Sequence, residues 1–514
     1  MKRWSALALL AALVGALALR VPRLDVRPLH NDEAVNAVKV SELWQHGGYA
    51  YDPDEYHGPT LHYATLPFLW LSGARNPDEL EDATLRLAPV TFGAGLILLL
   101  LLLADGLGRR AVAWAAIFTA VSPAMVFYSR YFIHEMLLVF FTALTLGAGW
   151  RYAQTRAARW AALTGAGLGL MFATKETFVI TVAAMGLAAI GTVLRTAPPG
   201  ARVPCLSALW NWKHAGLALS ATFIVWLLLF SSFFTHLAGL LDSVRTYLPW
   251  LKRAGGHSPH VHPWSFYLQR LAWFHPAKGP AWSEGLILLL AAAGAVVSLL
   301  GRKSPLHVFL ALYTVILTAV YSAISYKTPW CLLSFFQGMI FLAGVGAAAL
   351  VEFLRARALK VVAVTALLGM TAQLSWQAWR ASFVYPADRR NPYVYAQTVP
   401  DLLNLVGRTE ALARVAPEGH GTVVKIIAPD SDYWPLPWYL RRFKNVGWYE
   451  KLPDDPFAPI VVVSSKLDAR LDERSNRKWI MVGLTEFRPG KFFEQYVELG
   501  LWKKYVETLP RQAD

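Results

Sequence analysis

Between Arg27 and His62 the chain reads RPLHNDEAVNAVKVSELWQHGGYAYDPDEYHGPTLH, a polar stretch that follows one apolar run and precedes many more. Two adjacent carboxylates, Asp32 and Glu33, open a helix-like segment within it. Carboxylates just outside a bilayer can act as a general base that activates an acceptor hydroxyl or amine. They can also join histidines around a metal ion. The competing structural use is a helix start, where acids complement the N-terminal dipole and Asn31-Asp32-Glu33 makes a serviceable first turn. The stretch closes on His57-Gly58-Pro59. Gly and Pro turn the backbone without bulk, so His57 and His62 could reach a phosphate or a metal, or the turn could simply join two interfacial helices.

Four further groups carry charge where charge is expensive. Arg130 and Glu135 lie in SPAMVFYSRYFIHEMLLVF, where Ser122-Pro123 ends one apolar run and Glu135 opens the next. An ionisable residue at membrane depth is a functional candidate by default; interfacial snorkelling is the plainer alternative and suits Arg130 better than the short Glu135. Lys175 and Glu176 interrupt GLGLMFATKETFVI. A lysine there could hold a lipid phosphate as a point charge, or the two could pair across a tight turn. Lys327, in SYKTPWC, reads the same way, with Trp330 beside it as a belt aromatic. His257, His260 and His262 sit close together in HSPHVHPW. With no acid or cysteine among them they suit a solvated or substrate-lining loop better than a structural metal. There is no phosphate-binding glycine loop with Lys-Ser or Lys-Thr and no dinucleotide fingerprint. A soluble nucleotide-sugar enzyme or ATP-driven transporter has no support, and a secondary transporter lacks a pair of broken spans in corresponding halves.

The elements that must position these groups are membrane helices. The 514 residues are 55% hydrophobic and only 16% charged, with a mean hydropathy of +0.36. That composition is too apolar for an ordinary soluble enzyme. At roughly 20 apolar residues per crossing we expect about eleven spans, near 4–20, 85–104, 111–128, 136–152, 160–174, 177–194, 214–234, 283–300, 305–323, 331–350 and 361–379. The first follows Met1-Lys2-Arg3 and lacks a clear small-residue cleavage site, which suits a retained signal anchor.

The net charge of +15 is distributed against a nucleic-acid partner. Lys2 and Arg3; Arg109 and Arg110; Arg151, Arg156 and Arg159; Arg195, Arg202 and Lys213; Arg302 and Lys303; and Arg355, Arg357 and Lys360 fall in short segments between apolar runs. Asp105 and Glu352 are the acids among them. By the positive-inside rule these ends are cytoplasmic. The N-terminus then starts inside and an odd number of spans puts the tail outside, in the plasma or inner membrane. Cys205 falls in a basic loop and Cys331 in a span, so no disulfide is expected between them.

Three pieces fall on the external side: residues 21–84, residues 235–282 and the tail 381–514. In the tail GTVVKIIAP and PIVVVSS suit short buried strands, and PWYLRRF suits a helix start. KFFEQYVELGLWKKYVETL shows apolar positions at helical spacing. The expected fold is mainly α: a polytopic helical membrane domain over 1–380, with external loops 21–84 and 235–282, and a small extracytoplasmic α/β domain over 381–514.

The order of these features resembles the C-type (GT-C) integral-membrane glycosyltransferases. A first span is followed by an external loop with Asp-Glu-Ala, a His-Gly-Pro turn, Ser129-Arg130 ahead of Glu135, a Gly-rich span ending in Thr174-Lys175-Glu176, and Tyr326-Lys327-Thr328-Pro329-Trp330. The nearest branches are the protein O-mannosyltransferases and the lipid A aminoarabinose transferases. HNDEAVNA, YHGPTLHY, SRYFIHEM, YKTPW, NPYVYAQT and YWPLPWYLR look closer still to a bacterial and archaeal group named for association with archaeal flippase activity in N-glycosylation. The general resemblance covers roughly residues 1–350, and the subgroup's motifs extend into the tail. The relatives often carry Pro-Pro where this chain has Gly58-Pro59.

The resemblance implies transfer of a sugar from a polyprenyl-phosphate carrier to a lipid, glycan or protein acceptor at the outer face. It implies Asp32 as the catalytic or acceptor-orienting carboxylate, Glu33 as its neighbour and Glu135 as the second acid. Lys175 and Lys327, with Arg130 and His57, are the candidates to hold the carrier phosphate. The donor already carries its leaving group, so no nucleotide site is required. No metal site is expected, although the paired acids with His30 and His57 could hold a divalent ion. The other function class is a non-catalytic protein that binds or helps flip lipid-linked sugars. Such a binder has little use for a base at Asp32.

Overall fold

The computed structural model describes residues 3–54, 57–198, 211–255, 260–301 and 304–510. Lys2, Cys205, Arg202, His257, Arg302 and Lys303 lie outside the described residues. The chain divides into two compact units. One comprises residues up to Leu24, Glu42–Phe68 and Ala83–Tyr395; the other comprises Asp25–Ser41, Leu69–Asp82 and the chain from Ala396 on.

The larger unit is helical. Its elements begin with α1 (Arg3–Arg20), the end of α2 (Asn31–His46), α3 (Thr60–Leu71), α4 (Asp82–Leu107), α5 (Arg109–Val121), α6 (Pro123–Ser129), α7 (Glu135–Thr155), α8 (Ala158–Phe172), α9 (Phe178–Thr196) and α10 (Trp212–Phe230). Shorter helices α11 (Ala238–Arg245), α12 (Tyr247–Gly255) and α13 (Phe266–Ala272) follow, then α14 (Gly285–Leu300), α15 (Pro305–Ala323), α16 (Leu333–Phe353) and α17 (Arg357–Trp379). A helix lies at each of the expected spans. Among the described residues seven helices are long and apolar enough to cross a membrane, or eight if α5 and α6 form one bent span. α1, from Ala6, and α14 are apolar but shorter. The chain is a multi-pass membrane protein.

The bend between α5 and α6 is 56° and has a local cause. Pro123 has no N–H to continue the ladder of α5, while the Ser122 hydroxyl accepts from the Met125 N–H and starts α6 afresh. α16 is the enclosed centre: 89% of its span is buried, against 6% for α10 at the periphery. α14 reaches α16 through glycines, because a Cβ on Gly294 would strike the Leu342 carbonyl and one on Gly346 the Leu290 carbonyl. Small residues let membrane helices approach in this way, where apolar area drives little association. The two acids within the basic ends are both paired: Asp105 with Arg151 at 2.7 Å and Glu352 with Arg110 at 3.1 Å.

The smaller unit is built on a five-stranded mixed sheet of order β2-β1-β3-β5-β4. Its strands are β1 (Val424–Ile427), β2 (Val446–Tyr449), β3 (Ile460–Ser464), β4 (Trp479–Arg488) and β5 (Lys491–Glu498). β1 pairs in parallel with β2 and β3; β5 pairs antiparallel with β3 and β4. The apolar runs VKII and IVVVS become the interior strands because both their faces are covered. Leu405, Ile426, Val462 and Phe493 pack on one side, and Ile427, Val461, Val463 and Leu471 on the other.

One expectation fails here. Lys491–Glu498 is a strand, and only Leu499–Glu507 of that segment is helical. Phe493, Gln495 and Val497 are buried at a spacing of two, a pattern that also satisfies a strand. Gly490, at φ +78°, takes a turn conformation open to few other residues and folds the segment back on β4. The motif Tyr433–Arg441 reaches the segment 69–82 of the same unit. The Trp438 indole and Tyr439 hydroxyl donate to Asp82 at 2.7 and 2.6 Å, and Arg441 donates to the carbonyls of Pro77 and Leu80.

Candidate active site

The two adjacent carboxylates part company. Glu33 is fully buried, and both its oxygens face the Arg27 guanidinium at 2.5 and 3.2 Å. Its Oε2 also accepts the His30 backbone N–H at 2.8 Å. The His30 ring returns the favour at the other side of the turn: Nδ1 accepts the Asp32 backbone N–H at 3.2 Å. This is a reciprocal cap in which His30 replaces the usual serine or threonine. Burial pulls the His30 imidazole below its ordinary value, with Asp32 and Glu33 opposing that pull. A neutral ring is what the cap requires, since Nδ1 must accept. The Asp32 side chain stays half exposed, with its Oδ1 3.7 Å from His30 Nδ1. The helix start read from the sequence is therefore real and consumes Glu33, whereas Asp32 keeps an open carboxylate.

Within the same unit Asn31 accepts from Arg488 at 2.8 Å. Arg488 also reaches the Trp434 carbonyl at 2.9 Å and Asp432 at 3.4 Å. Lys491 and Lys466 converge on Asp432 as well, at 2.5 and 3.2 Å. Burial would raise the Asp432 carboxyl, but the bonds from Lys491 and Lys466 carry it below the ordinary carboxylate value.

The helical unit holds a second cluster. Gly58 docks on the loop between α8 and α9: its N–H donates to Thr174 O at 3.0 Å, and the Thr60 N–H donates to Ala173 O at 3.1 Å. A Cβ at position 58 would fall on the Ala173 carbonyl, so the turn needs its glycine. His57 pairs with Glu176 at 3.1 Å, and His134 donates through Nε2 to the Gly58 carbonyl at 3.0 Å. The rings of His57 and His62 lie 5.0 and 5.7 Å from that of His134. Beside them Lys175 is ion-paired with Glu135, the two side chains being 6% and 4% exposed. Lys175 and Glu176 thus do not pair with each other across their turn; each takes a partner distant in sequence. Burial works to raise the Glu176 carboxyl, but His57 and Lys175 carry it below its ordinary value.

Arg130 has a structural occupation. It donates to the carbonyls of Arg20, Pro22 and Arg23, each at 2.7 Å, and lies 4.5 Å over the Phe383 ring. Those are an orphan carbonyl at the last residue of α1 and two in the turn that follows it. Arg20 caps α5 in turn through Thr119 O and Ala120 O, both at 2.8 Å. Lys327 is different. It is buried, donating to the His262 and Ile324 carbonyls, and has no ion-pair partner among the described residues. Burial pulls its ammonium below the ordinary lysine value. His260 and His262 both contact the Tyr395 hydroxyl, at 2.8 and 3.0 Å. Among the described residues no three His, Cys, Asp or Glu side chains gather as a metal-holding group.

Glu176, His134 and Arg488 are the partners the sequence reading did not assign to chemistry. The segment SRYFIHEM contained His134, but nothing in its spacing pointed to Gly58, 76 residues away.

Residues 61–240 match the family model described as dolichyl-phosphate-mannose-protein mannosyltransferase. No curated protein matches the chain. Among solved structures, ArnT from Cupriavidus metallidurans in the apo state aligns with a TM-score of 0.60 at 17% identity, over 96% of this chain and 97% of that one. The same protein bound to undecaprenyl phosphate gives 0.57 at 17%, over 96% and 98%. The archaeal oligosaccharyltransferase AglB from Archaeoglobus fulgidus, in complex with an inhibitory peptide and a dolichol-phosphate, gives 0.58 at 13%, over 91% and 70%. At these identities the likeness concerns the fold, and the fold is that of the C-type (GT-C) integral-membrane glycosyltransferases.

Proposed function

We propose that the protein transfers a sugar from a polyprenyl-phosphate carrier to a lipid, glycan or protein acceptor at the external membrane face. Asp32 removes or orients the acceptor proton. The acceptor oxygen or nitrogen then bonds to the anomeric carbon as the bond from that carbon to the phosphate oxygen breaks. The electron pair leaves with the polyprenyl phosphate, whose growing charge is stabilised by Lys327 and Lys175. Direct displacement inverts the anomeric configuration.

The observation that carries this reading is Lys327. Among the described residues this buried ammonium is held by carbonyls alone and lacks the counter-charge that burial normally demands; a carrier phosphate would supply it. ArnT in complex with undecaprenyl phosphate and AglB with dolichol-phosphate add support from the same fold. The open Asp32 beside a consumed Glu33 suits a single base. In this reading Glu135 acts on Lys175, and Arg130 serves the frame around the site.

Purified protein in liposomes, given a panel of radiolabelled polyprenyl-phosphate sugars, tests the proposal with wild type and Asp32→Asn compared directly. The expected result is label leaving the lipid for a new product, with loss in the variant while polyprenyl-phosphate binding persists. Binding without turnover on any donor, unchanged by the substitution, would instead make the chain a binder or flipping aid. Retained anomeric configuration would refute direct displacement.

A further inference from the structure

We infer that Arg488, at the end of β4, is a positioning residue for Asp32: it locks Asn31, and with it the first turn of α2. The inference rests on the reading of Asp32 as the base and gives the C-terminal sheet a part in the reaction.

Arg488 closes the β4–β5 hairpin, in register with Lys491. From there its planar fork spans two pieces of chain. Nη2 donates to Asn31 Oδ1 at 2.8 Å and to the Trp434 carbonyl at 2.9 Å, while Nη1 lies 3.4 Å from Asp432. Asn31 is the residue before Asp32, so the hold is one peptide from the carboxylate. A guanidinium makes such a hold rigid because its donors lie in one plane at fixed angles.

The neighbouring charges are engaged with one another. Asp432 is shared among three cations and lies closest to Lys491, at 2.5 Å. Glu33 is neutralised by Arg27, and burial favours the neutral His30 ring. Arg488 and Asp32 attract each other, against the burial that acts on Arg488. Among the described residues the charged and titratable groups that these contacts tie to the first turn of α2 are His30, the Arg27–Glu33 pair, and Arg488 with its Asp432, Lys466 and Lys491 neighbours. Three cations share the Asp432 carboxylate, and Arg488 is the one among them that also bonds Asn31. A polar network of this kind holds a reacting group within the small tolerance that catalysis allows.

The test uses the full chain in liposomes under the transfer assay above, with Arg488→Met, Arg488→Lys, Asn31→Ala and Asp32→Asn. Arg488→Met should lower kcat about 10- to 100-fold, the range set by small misplacement of a catalytic group, with donor KM unchanged. Arg488→Lys should restore little of kcat, because it returns the charge without the fork. Asn31→Ala removes the held side chain and should lower kcat with donor KM unchanged; it carries the test should Arg488→Met fail to fold. A purely structural role would reduce the amount of active protein and leave kcat per folded molecule at the wild-type value. An inactive Asp32→Asn together with wild-type kcat per folded molecule in Asn31→Ala or in folded Arg488→Met overturns the inference and leaves the proposed function standing. An active Asp32→Asn removes Asp32 as the base and the inference with it, whereas binding without turnover by the wild type overturns the proposed function itself.

Discussion

Glu33→Gln and Asp32→Asn, one residue apart, should fail in opposite ways. The Glu33 carboxylate is 0% exposed and the Arg27 side chain 6% exposed, joined at 2.5 Å. Removing one charge of a buried pair typically costs about 3–5 kcal/mol, because the other charge remains buried without its counter-ion. Glutamine keeps an oxygen for the His30 N–H, a neutral bond worth about 1 kcal/mol. The expected net loss is therefore about 2–4 kcal/mol, a 30- to 1,000-fold shift toward unfolding at about 1.4 kcal/mol per decade. The Asp32 side chain is 50% exposed, and its neutralisation should alter stability by no more than about 0.5 kcal/mol. Turnover should show the reverse order: a loss of about 10²–10⁴-fold for Asp32→Asn, the usual contribution of a general base, and little change per folded molecule for Glu33→Gln. Denaturant midpoints in detergent, paired with transfer rates normalised to folded protein, read both quantities. An unchanged midpoint with abolished turnover in Glu33→Gln would refute the assignment and make Glu33 the chemical group.

The Glu135–Lys175 pair should behave as a coupled unit: Glu135→Gln and Lys175→Met should each cost about 3–5 kcal/mol, and the double variant should recover most of that loss. A double-mutant cycle on unfolding midpoints checks it, and additive losses would contradict the coupling. Burial holds the His30 ring below its ordinary value of 6.5, so the unfolded chain takes up a proton that the folded chain resists. Its stabilising share is full above about pH 6.5 and is lost as pH falls toward the lower folded value. His30→Asn keeps a good cap without titrating, so its midpoint should decline less steeply between pH 7 and 5 than that of the wild type; an equal decline would contradict the assignment. Gly58→Ala should cost about 1–3 kcal/mol by overpacking against the Ala173 carbonyl, and limited proteolysis should find the turn at Gly58-Pro59 opened.

Most of the architecture was legible in one dimension. Apolar runs long enough to cross a bilayer have few other uses, and a helix lies at each expected span because every backbone polar group must be satisfied within the lipid. The interior strands VKII and IVVVS were equally plain, since short β-branched runs bounded by turn residues fit a sheet covered on both faces. KFFEQYVE was not, because its apolar residues satisfy both a period of 3.6 and a period of 2, and pairing with β4 across Gly490 chose between them.

For the site, the sequence by itself determined which residues could carry chemistry: Asp32, Glu33, Glu135, Lys175, Lys327, Arg130 and His57 are polar groups in an apolar chain. It could not decide which partner each of them meets in the fold. Only the tertiary structure assigned Glu33 to Arg27, Arg130 to the turn after α1, Lys175 to Glu135 and Glu176 to His57, and left Asp32 open and Lys327 without a carboxylate among the described residues. The reason is physical. A residue's type states how much a charge costs to bury, but its partner is set by chain segments brought together from as far as 110 residues away for Arg130 and 457 for Asn31 and Arg488, and no local pattern records that meeting.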